Sequence, residues 1–555
     1  MAIIQCPFVL PDDPARQPET TLTDPLILRA QEYGKDVFCV DLETGLQYQF
    51  DQVVQLGKNF AQNLVRNNGL GKGAVVATFL ENCAESMPII LGTIAMGGVW
   101  SGCNPISTDE ELYRQLKDSN TQILITRKDL LPTAKAALAP LPKGQIKAVF
   151  LKDNEQLGDF RPLNGLFSGN YADFPPVKIN PKTDVAILPY SSGTTGLPKG
   201  TMLTHGALTR LLRTNNSLLG VNYVRGNWTV SVLPFYHIAG FGGLIAGFYN
   251  GVSMAILPRF EPNSYLGAIQ KFKPFSLMVV PSILGLFAKS DLVDKYDMSS
   301  VKRIFFGAAP AGEELITQVK KRLPHVEGLT HLYGMTEIGV ATGTPFLPDE
   351  RIPTGSIGVP MPTVQIKVLS TDGTKRLLGP REVGELVVKT DMRMSGYLGK
   401  PEETKNTIDK DGWLYTGDVG YYDEGGYFYI CDRIKELIKY KAFQVAPAEL
   451  EDIILKHSAV EECAVTGIVD KRNPANGELP TAFILLRQGI HPTGQIKQEI
   501  IDLVSSHVAN YKQLRGGVHY LKEMPKGATG KVLRRVLRSP DAPKYLLSPE
   551  NKSKL

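Results

Sequence analysis

The sequence predicts an α/β protein with a large N-terminal α/β domain, built from sheets and helices, and a small C-terminal α+β domain. The length of 555 residues suffices for about three or four domain-sized units. Residues 1–430 alternate apolar, strand-like runs with helical patterns, which is typical of sheets covered by helices. Near Gly420 the pattern changes to short aromatic-rich strands and one amphipathic stretch. We therefore expect one domain over residues 1–434 and a second over residues 435–555.

The N-terminal domain has apolar runs that end in Gly, Ser, Thr or Pro, and we predict strands at 184–190, 301–307 and 329–334. Such strands lead into loops at one edge of a sheet, where the ligands of open α/β sheets bind. The segment 420–430 predicts a hairpin that turns at Asp423–Gly426. The remaining elements expected in the C-terminal domain are a helix within 446–460 and strands at 464–470 and 481–487.

Composition excludes several classes of protein. Hydrophobic residues make up 43% of the chain and charged residues 21%, which excludes a disordered chain or a coiled coil. The net charge of +5 is too small to predict nucleic-acid binding, but it suits an anionic small molecule if the cations converge on one cleft. The six cysteines form no CxxC pair, so we expect reduced, mostly buried thiols rather than disulfides or a zinc site.

Neither the N-terminus nor the two most apolar stretches of the sequence predict a membrane protein. Residues 1–17 lack the basic start and long apolar region of a signal peptide. Two charge-poor stretches, 86–108 and 228–258, are broken by Gly and Pro, which favours buried strands and helices over membrane spans.

The last three residues, Ser553-Lys554-Leu555, match the address that the peroxisomal import receptor recognises, which predicts a peroxisomal location. The alternative is a polar tail that ends this way by chance.

The segment 191–200, SSGTTGLPKG, directly follows the strand predicted at 184–190. Its hydroxyls and glycine-rich backbone N–H groups suit the binding of phosphate oxygens, and Lys199 adds a mobile cation. The spacing from Gly193 does not fit a Walker A loop, so this is not an ordinary P-loop. A flexible Gly/Ser turn is the alternative.

This decapeptide resembles the signature of the adenylate-forming superfamily, which contains acyl-CoA synthetases, 4-coumarate–CoA ligases and beetle luciferases. The later motifs of that superfamily follow in the right order: GAAP at 307–310, YGMTE at 333–337, YTGD at 415–418, the segment 432–451, and PKGATGK at 525–531. The resemblance implies ATP-dependent, AMP-forming ligation of a carboxylic acid to CoA through an acyl-adenylate, with ATP, Mg²⁺ and CoA as the required small molecules. It also implies that the C-terminal domain is mobile.

The chemistry of adenylation explains the residue types in these motifs. The substrate carboxylate and the α-phosphate are both anions, so cations and hydrogen-bond donors must stabilise the charge where they meet. By resemblance, Glu337 holds Mg²⁺, Tyr333 stacks on adenine opposite Ala308–Pro310, and Asp418 accepts hydrogen bonds from the ribose. The alternatives are a solvated carboxylate, a core tyrosine and a surface ion pair, respectively. The full set that the resemblance assigns to ATP is Ser191, Ser192, Gly193, Thr194, Thr195, Lys199, Ala309, Tyr333, Thr336, Asp418, Arg433, Gln444 and Lys531.

Two lysines are assigned to different halves of the reaction. Lys531, in a Gly-rich loop, resembles the residue that bridges carboxylate and α-phosphate during adenylation. Lys439 resembles the residue that serves the thioester half-reaction, although its alternation with apolar neighbours also fits an ordinary strand. Lys435 matches the hinge about which the small domain rotates. The further assignments are CoA binding by Arg259, Lys441 and Ala442, and catalytic roles for His237, Thr336 and Glu337 beside the two lysines.

The acyl pocket assigned by resemblance comprises His237, Ala239, Gly307 and Leu332. Aryl-CoA ligases have Gly in place of Leu332, and a bulkier residue in place of Ala239. Ala442 likewise stands where the hinge strand has Gly, and Tyr236 stands where amino-acid-activating domains have Asp. We therefore expect a fatty or related hydrophobic acid as substrate. The alternatives are an aryl-CoA ligase, a luciferase-type oxygenase, or an inactive acyl- or nucleotide-binding module, although Lys531 and Glu337, which an inactive relative tends to lose, are both present.

Overall fold

The computed structural model describes residues 3–7, 20–191, 198–218, 225–309, 311–345, 352–434, 436–441, 443–471, 473, 476–527, 532–539 and 542–547. These residues form two compact units. The large unit holds residues 3–366 and 388–414, and the small unit holds residues 367–387 and those from 415 onward. Along the residues described, the chain therefore passes between the units three times. The predicted boundary at residue 435, and the mobility of the part after it, stay predictions.

Strands and helices alternate through the large unit, as the sequence predicts, and strands are numbered here in chain order. The strands that begin before residue 200 are β1 Ile3–Gln5, β2 Val37–Asp41, β3 Gln47–Gln49, β4 Val75–Phe79, β5 Val99–Cys103, β6 Thr121–Thr126, β7 Ala148–Leu151, β8 Arg161–Pro162, β9 Val185–Ile187, β10 Tyr190–Ser191 and β11 Lys199–Thr204. Those that follow, up to residue 397, are β12 Trp228–Ser231, β13 Ser253–Ile256, β14 Ser276–Val279, β15 Arg303–Gly307, β16 Gly328–Met335, β17 Gly339–Gly343, β18 Val359–Pro360, β19 Gln365–Leu369, β20 Gly384–Lys389 and β21 Gly396–Tyr397. The last seven are β22 Leu414–Tyr422, β23 Phe428–Arg433, β24 Ile438–Tyr440, β25 Phe443–Val445, β26 Val460–Val469, β27 Glu478–Leu486 and β28 Val518–Tyr520.

The α-helices are numbered in the same way. The first eight are α1 Thr23–Tyr33, α2 Phe50–Asn68, α3 Ser86–Ala95, α4 Asp109–Asp118, α5 Leu131–Leu138, α6 Asn164–Phe167, α7 His205–Leu218 and α8 Ile238–Asn250. The others are α9 Pro262–Phe272, α10 Pro281–Lys289, α11 Glu313–Arg322, α12 Pro401–Thr407, α13 Pro447–Ile454, α14 Gly494–His507 and α15 Arg534–Leu537.

Three sheets build the large unit. The largest has the order β10-β11-β9-β5-β4-β6-β7-β8, with β21 paired to β11. Its centre is parallel, and its β10-β11-β9 edge is antiparallel. The other two sheets have the orders β12-β13-β2-β3 and β14-β15-β16-β17-β18. Parallel strands covered by helices on their faces are the α/β arrangement expected from the alternating pattern, and the fold class is confirmed.

The charge-poor stretches 86–108 and 228–258 form internal elements. Helix α3 is apolar all round and nine of its ten residues are buried, as expected of a helix inside a large core. The second stretch forms β12, α8 and β13. Among the described helices, none is long and apolar enough to cross a membrane. All six cysteines are free thiols; Cys39, Cys83 and Cys103 are buried, and Cys6, Cys431 and Cys463 are half-buried.

The small unit has its own core. Its strands β19, β20, β22 and β23 lie side by side, and β22 and β23 form the predicted hairpin, in which Gly426 N donates to Asp423 O at 3.0 Å. Helix α13 begins at Pro447, a residue suited to the first helical turn, and packs with β26, β27 and α14. On β24 the exposure alternates, so that Lys439 is exposed between buried Ile438 and Tyr440. This alternation is compatible with both interpretations of Lys439, a residue of the thioester half-reaction and a solvated residue of an ordinary strand.

Candidate active site

A buried carboxylate stands just after strand β16. Glu337 is 6% exposed, and Thr336 beside it is buried as well. Its backbone oxygen accepts from the N–H of Met394 at 2.7 Å, which fixes the main chain at this point. A carboxylate so far from solvent requires polar partners, because burial without them is costly.

Two hydroxyls, both within the large unit, satisfy one oxygen of this carboxylate. Ser191 Oγ donates to Glu337 Oε1 at 3.1 Å, and Tyr397 Oη donates to the same oxygen at 2.8 Å. Burial and the neighbouring Glu337 raise the pKa of Tyr397, so the tyrosine remains a neutral donor. Ser191, predicted to bind ATP, thus contacts Glu337, predicted to hold Mg²⁺, and Tyr397 is a contact that the sequence analysis did not identify.

The donor set fits Mg²⁺. Carboxylate and hydroxyl oxygens are the ligands that this cation prefers, and Glu337, Thr336 and Ser191 supply them. Within the described part of the chain, the side-chain partners of Glu337 are the hydroxyls of Ser191 and Tyr397, and no Lys or Arg forms an ion pair with it. Both hydroxyls contact Oε1, and Glu337 is the residue that would hold a metal ion here, where the ion would neutralise phosphate charge.

Lys199 is linked to this carboxylate through Tyr397. It begins β11, where it pairs with Ser191 across two antiparallel strands. Its ammonium forms an ion pair with Glu403 and lies 5.0 Å from the centre of the Tyr397 ring, within the range of a cation–π contact. The pKa of Glu403 is lowered by this lysine. The predicted phosphate-binding residues between these strands, Ser192, Gly193, Thr194 and Thr195, lie outside the described residues.

Strands β15 and β16 place the predicted adenine and acyl-pocket residues. Gly307 pairs with Leu332 in the parallel ladder, and a Cβ built on Gly307 would lie 2.3 Å from the carbonyl oxygen of Leu332. No side chain fits at position 307 without displacing β16. Tyr333 is half-buried, as is Ala309 beyond β15. Ala308, between Gly307 and Ala309, has a φ of +69°, a conformation that is strained for a non-glycine residue and concentrates at functional sites.

The loop before α8 carries His237 and is held by Asn82. Asn82 Nδ2 donates to Leu233 O at 3.0 Å, and Asn82 Oδ1 accepts from Phe235 N at 2.8 Å. His237 Nδ1 accepts from Ala239 N at 3.3 Å and so caps the helix on which Ala239 lies. Asn82 is a positioning residue that the sequence analysis missed, because its partners are about 150 residues away and no local pattern marks them.

The same loop approaches strand β5 closely. A Cβ on Gly102 would lie 2.6 Å from the Cα and Cβ of Tyr236, so only glycine fits there. Burial raises the pKa of Tyr236 to about 12, so its hydroxyl stays neutral at physiological pH. A neutral phenol is a poor partner for a substrate ammonium group. Arg259, predicted to bind CoA, is exposed after β13.

The small unit holds Asp418 and Arg433 as a pair. They face each other on β22 and β23, and Arg433 Nε donates to Asp418 Oδ1 at 2.7 Å. Asp418 is 4% exposed, and its backbone N–H donates to Thr416 Oγ1 at 3.0 Å. The sequence analysis considered both a ribose contact and an ion pair, and the ion pair is present.

The remaining predicted residues of the small unit lie around β24 and β25. Exposed Lys439 pairs with Gln444 in this ladder, and its N–H donates to Glu478 Oε2 at 3.0 Å. Lys441 is exposed with a φ of +53°. The predicted hinge Lys435, the CoA contact Ala442 and the adenylation lysine Lys531 lie outside the described residues.

Comparisons with known proteins agree with these motifs. The family model for AMP-binding enzymes matches residues 28–398, more than half of the chain, and the model for the C-terminal domain of AMP-binding enzymes matches residues 449–531. A probable 4-coumarate–CoA ligase 1 of Dictyostelium discoideum is 35% identical over 544 residues, covering 95% of this chain and 96% of that protein. A luciferin 4-monooxygenase of Nipponoluciola cruciata is also 35% identical, over 518 residues that cover 90% of this chain and 91% of that protein.

Solved structures give the same result for the fold. The ATP-bound MatB of Rhodopseudomonas palustris matches with a TM-score of 0.83 at 25% identity, over 94% of this chain and 98% of that one. A fatty acyl CoA synthetase of Mycobacterium tuberculosis matches with a TM-score of 0.73 at 26% identity, over 94% of this chain and 99% of that one. The large and small parts expected from the sequence are therefore both accounted for by known structures.

Proposed function

Because this chain belongs to the AMP-binding enzymes, the adenylate-forming superfamily of its ligase and luciferase relatives, we propose that it joins a hydrophobic carboxylic acid to CoA. A carboxylate oxygen attacks the α-phosphorus of ATP and pyrophosphate leaves. The thiolate of CoA then attacks the acyl carbon of the adenylate, and AMP leaves with the bonding electron pair. The observation that carries this proposal is the placement of Glu337 at the hydroxyl of Tyr397 and of Lys199 against its ring.

The first half-reaction brings two anions together. Lys199 is a cation held within reach of the loop that the sequence predicts to bind phosphate, and Lys531 is proposed to bridge the carboxylate and the α-phosphate. Such preorganised groups stabilise developing charge, and each commonly contributes about 100-fold or more to the rate. Mg²⁺, when bound at Glu337, would neutralise charge on the phosphates. Asp418 and Arg433 are proposed to hold the ribose.

The second half-reaction needs the thiol of CoA in place of pyrophosphate. Lys439 is exposed on β24 and is proposed to serve this step after the small domain has rotated about Lys435. Arg259 and Lys441 are exposed cations, which suits contacts to the phosphates of CoA. His237, at the start of α8, is proposed to stand between the acyl pocket and the path of CoA.

The acid is proposed to be a medium- or long-chain fatty acid or a related hydrophobic acid. Leu332 is buried, and it lies on the same face of the sheet as Gly307, which has no side chain. Its side chain is proposed to fill the space beside Gly307 that a flat aromatic ring would need. The neutral Tyr236 disfavours an amino acid. An aryl acid is the second candidate, since 4-coumarate–CoA ligases are among the relatives at 35% identity. Light emission with luciferin is tested by a single assay with ATP, because luciferases are equally similar.

The site of action is proposed to be the peroxisome. This rests on the terminal Ser553-Lys554-Leu555 alone, which matches the receptor-recognised signal. A fluorescent fusion that keeps these residues at its free C-terminus should enter peroxisomes, and a fusion without Leu555 should not. Equal cytosolic distribution of both would exclude this location.

The two half-reactions are tested separately with a panel of acids. Pyrophosphate release reports adenylation, and conversion of a supplied acyl-adenylate reports thioester formation. Lys531→Ala is expected to lose at least ~100-fold in the first and little in the second, and Lys439→Ala to show the converse. Lys435→Pro, which restricts φ at the hinge, should resemble Lys439→Ala.

The control for these variants is Lys522→Ala. Lys522 is an exposed lysine of the same unit, outside the predicted site. It should leave both rates within about 2-fold, since an exposed lysine contributes little. Equal losses in both half-reactions for Lys531→Ala, or no acid turned over by the wild type, would contradict the proposed function.

A further inference from the structure

Both ends of the predicted phosphate loop are attached to one cluster in the large unit. We call Ser191, Lys199, Glu337, Tyr397 and Glu403 the Tyr397 cluster. Ser191 stands at the start of the loop and donates to Glu337, and Lys199 stands near its end and contacts the Tyr397 ring and Glu403. Tyr397 itself donates to Glu337 at 2.8 Å. One tyrosine therefore contacts both the carboxylate and the lysine.

The backbone fixes Tyr397 in this place. Strand β21 pairs with β11, so that Tyr397 lies opposite Thr201, two residues after Lys199. Leu398 N donates to Gly200 O at 2.9 Å, and Tyr397 N donates to Thr404 Oγ1 at 2.9 Å. Tyr397 is 7% exposed. A buried side chain on a paired strand moves little, so it can set the positions of the groups it touches.

The ring and the hydroxyl of Tyr397 have separate partners. The hydroxyl donates to a carboxylate, and hydrogen bonds to charged acceptors are stronger than neutral ones. The ring faces the Lys199 ammonium, whose other partner, Glu403, has a side chain 40% exposed and is therefore screened by solvent. Removal of the hydroxyl alone should affect Glu337, and removal of the ring should affect Lys199 as well.

We propose that Tyr397 is a positioning residue for ATP with its metal ion: the hydroxyl orients Glu337 and the ring holds Lys199, at a fixed separation. The inference rests on the proposed function, because that function assigns Mg²⁺ to Glu337 and phosphate to Lys199. Without the hydroxyl, Glu337 keeps Ser191 as its hydroxyl partner and can rotate about its own side-chain bonds. The effect is therefore on metal-dependent binding of the nucleotide more than on binding of the nucleotide alone.

The test is calorimetric titration of the whole protein with ATP, once with Mg²⁺ and once with EDTA. Tyr397→Phe should weaken binding in Mg²⁺ by about 10-fold or more, as expected for loss of a hydrogen bond to a charged group, and change binding in EDTA by less than about 2-fold. Tyr397→Leu, which also removes the ring, should weaken binding under both conditions. Thermal unfolding without nucleotide shows whether each variant is folded.

Tyr113→Phe is the matched control. The hydroxyl of Tyr113 on α4 accepts from Lys117 Nζ at 3.1 Å, and the same ammonium lies 5.4 Å from the centre of the Tyr113 ring. The variant therefore removes a tyrosine hydroxyl from a Lys–Tyr pair that lies outside the predicted site. Its binding should match the wild type. Equal weakening by Tyr397→Phe with and without Mg²⁺, or no weakening, would overturn the inference, and so would absence of ATP binding by the wild type. If the wild type binds ATP with Mg²⁺ but activates no acid, the proposed function fails while the titrations still decide the role of Tyr397.

Discussion

Replacing Leu332 by Gly is expected to change the choice between acids more than the overall rate. Leu332 is 8% exposed, and a Cβ built on Gly307 would lie 3.4 Å from the Cβ of Leu332. The two positions therefore face the same side of the sheet. Because Gly307 carries no side chain, Leu332 provides the bulk on that face. A flexible acyl chain can bend around one leucine, whereas a flat ring cannot.

The magnitude follows from the size of the group removed. A change of one methylene in an acyl pocket is already worth about 1–3 kcal/mol, or roughly 10- to 200-fold in discrimination, and Leu332→Gly removes a whole isobutyl group. The kcat/KM for a cinnamate-like acid should rise relative to that for octanoate by this factor. The substitution also costs about 2–5 kcal/mol of stability, because a buried leucine is deleted. That cost cancels from the ratio, since both acids are measured on the same folded fraction.

The assay is pyrophosphate release with each acid, and Leu329→Gly is the control. Leu329 lies three residues earlier on β16 and therefore faces the other side of the sheet, where it packs in a core with Ile304 and Phe306. It should lose comparable stability without any change in the ratio. An unchanged ratio for Leu332→Gly, or an equal change for Leu329→Gly, would refute the argument that Leu332 shapes the pocket.

Two other substitutions test the surroundings of the site. Burial lowers the pKa of His331 to about 4, so proton uptake by the unfolded chain should reduce the free energy of unfolding on the order of 2 kcal/mol between pH 7 and pH 5. His331→Gln should remove this part of the pH dependence in urea unfolding, and an unchanged pH slope would contradict the assignment. Asn82→Ala should leave the buried N–H of Phe235 and the carbonyl of Leu233 without their partner, at about 1–3 kcal/mol each, and lower kcat/KM for all acids alike through the His237 loop. If Asn82→Ala unfolds and turns over acids as the wild type does, Asn82 does not hold this loop.

The sequence was sufficient for the fold class and for most elements that it marked. The strand predicted at 301–307 is observed as Arg303–Gly307, and the hairpin turns at Asp423–Gly426 as expected. These elements are local: apolar runs bounded by Gly or Pro, and a turn whose residues are adjacent. The motifs also gave the family, which the comparisons confirm.

The partners of the site residues were not predictable in the same way. Tyr397 lies 60 residues from Glu337, and Ser191 lies 146 residues from it, so no local pattern links them. The sequence offered Lys199 as a mobile cation, whereas the fold gives it Glu403 and the Tyr397 ring. Such contacts depend on which strands pair, as β21 does with β11, and strand order is not encoded in any one segment.

The three passages of the chain between the units determine how this protein can be recombined with a relative. The passages fall at residues 366–367, 387–388 and 414–415. A gene junction at 414–415 would take β20 from one parent and its neighbour β22 from the other, so their interface would have to match across species. A junction just after Arg433 keeps β19, β20, β22 and β23 from one parent, together with the Asp418–Arg433 pair. When chimeras are selected for activity, their junctions should therefore be found after Arg433 more often than at 414–415.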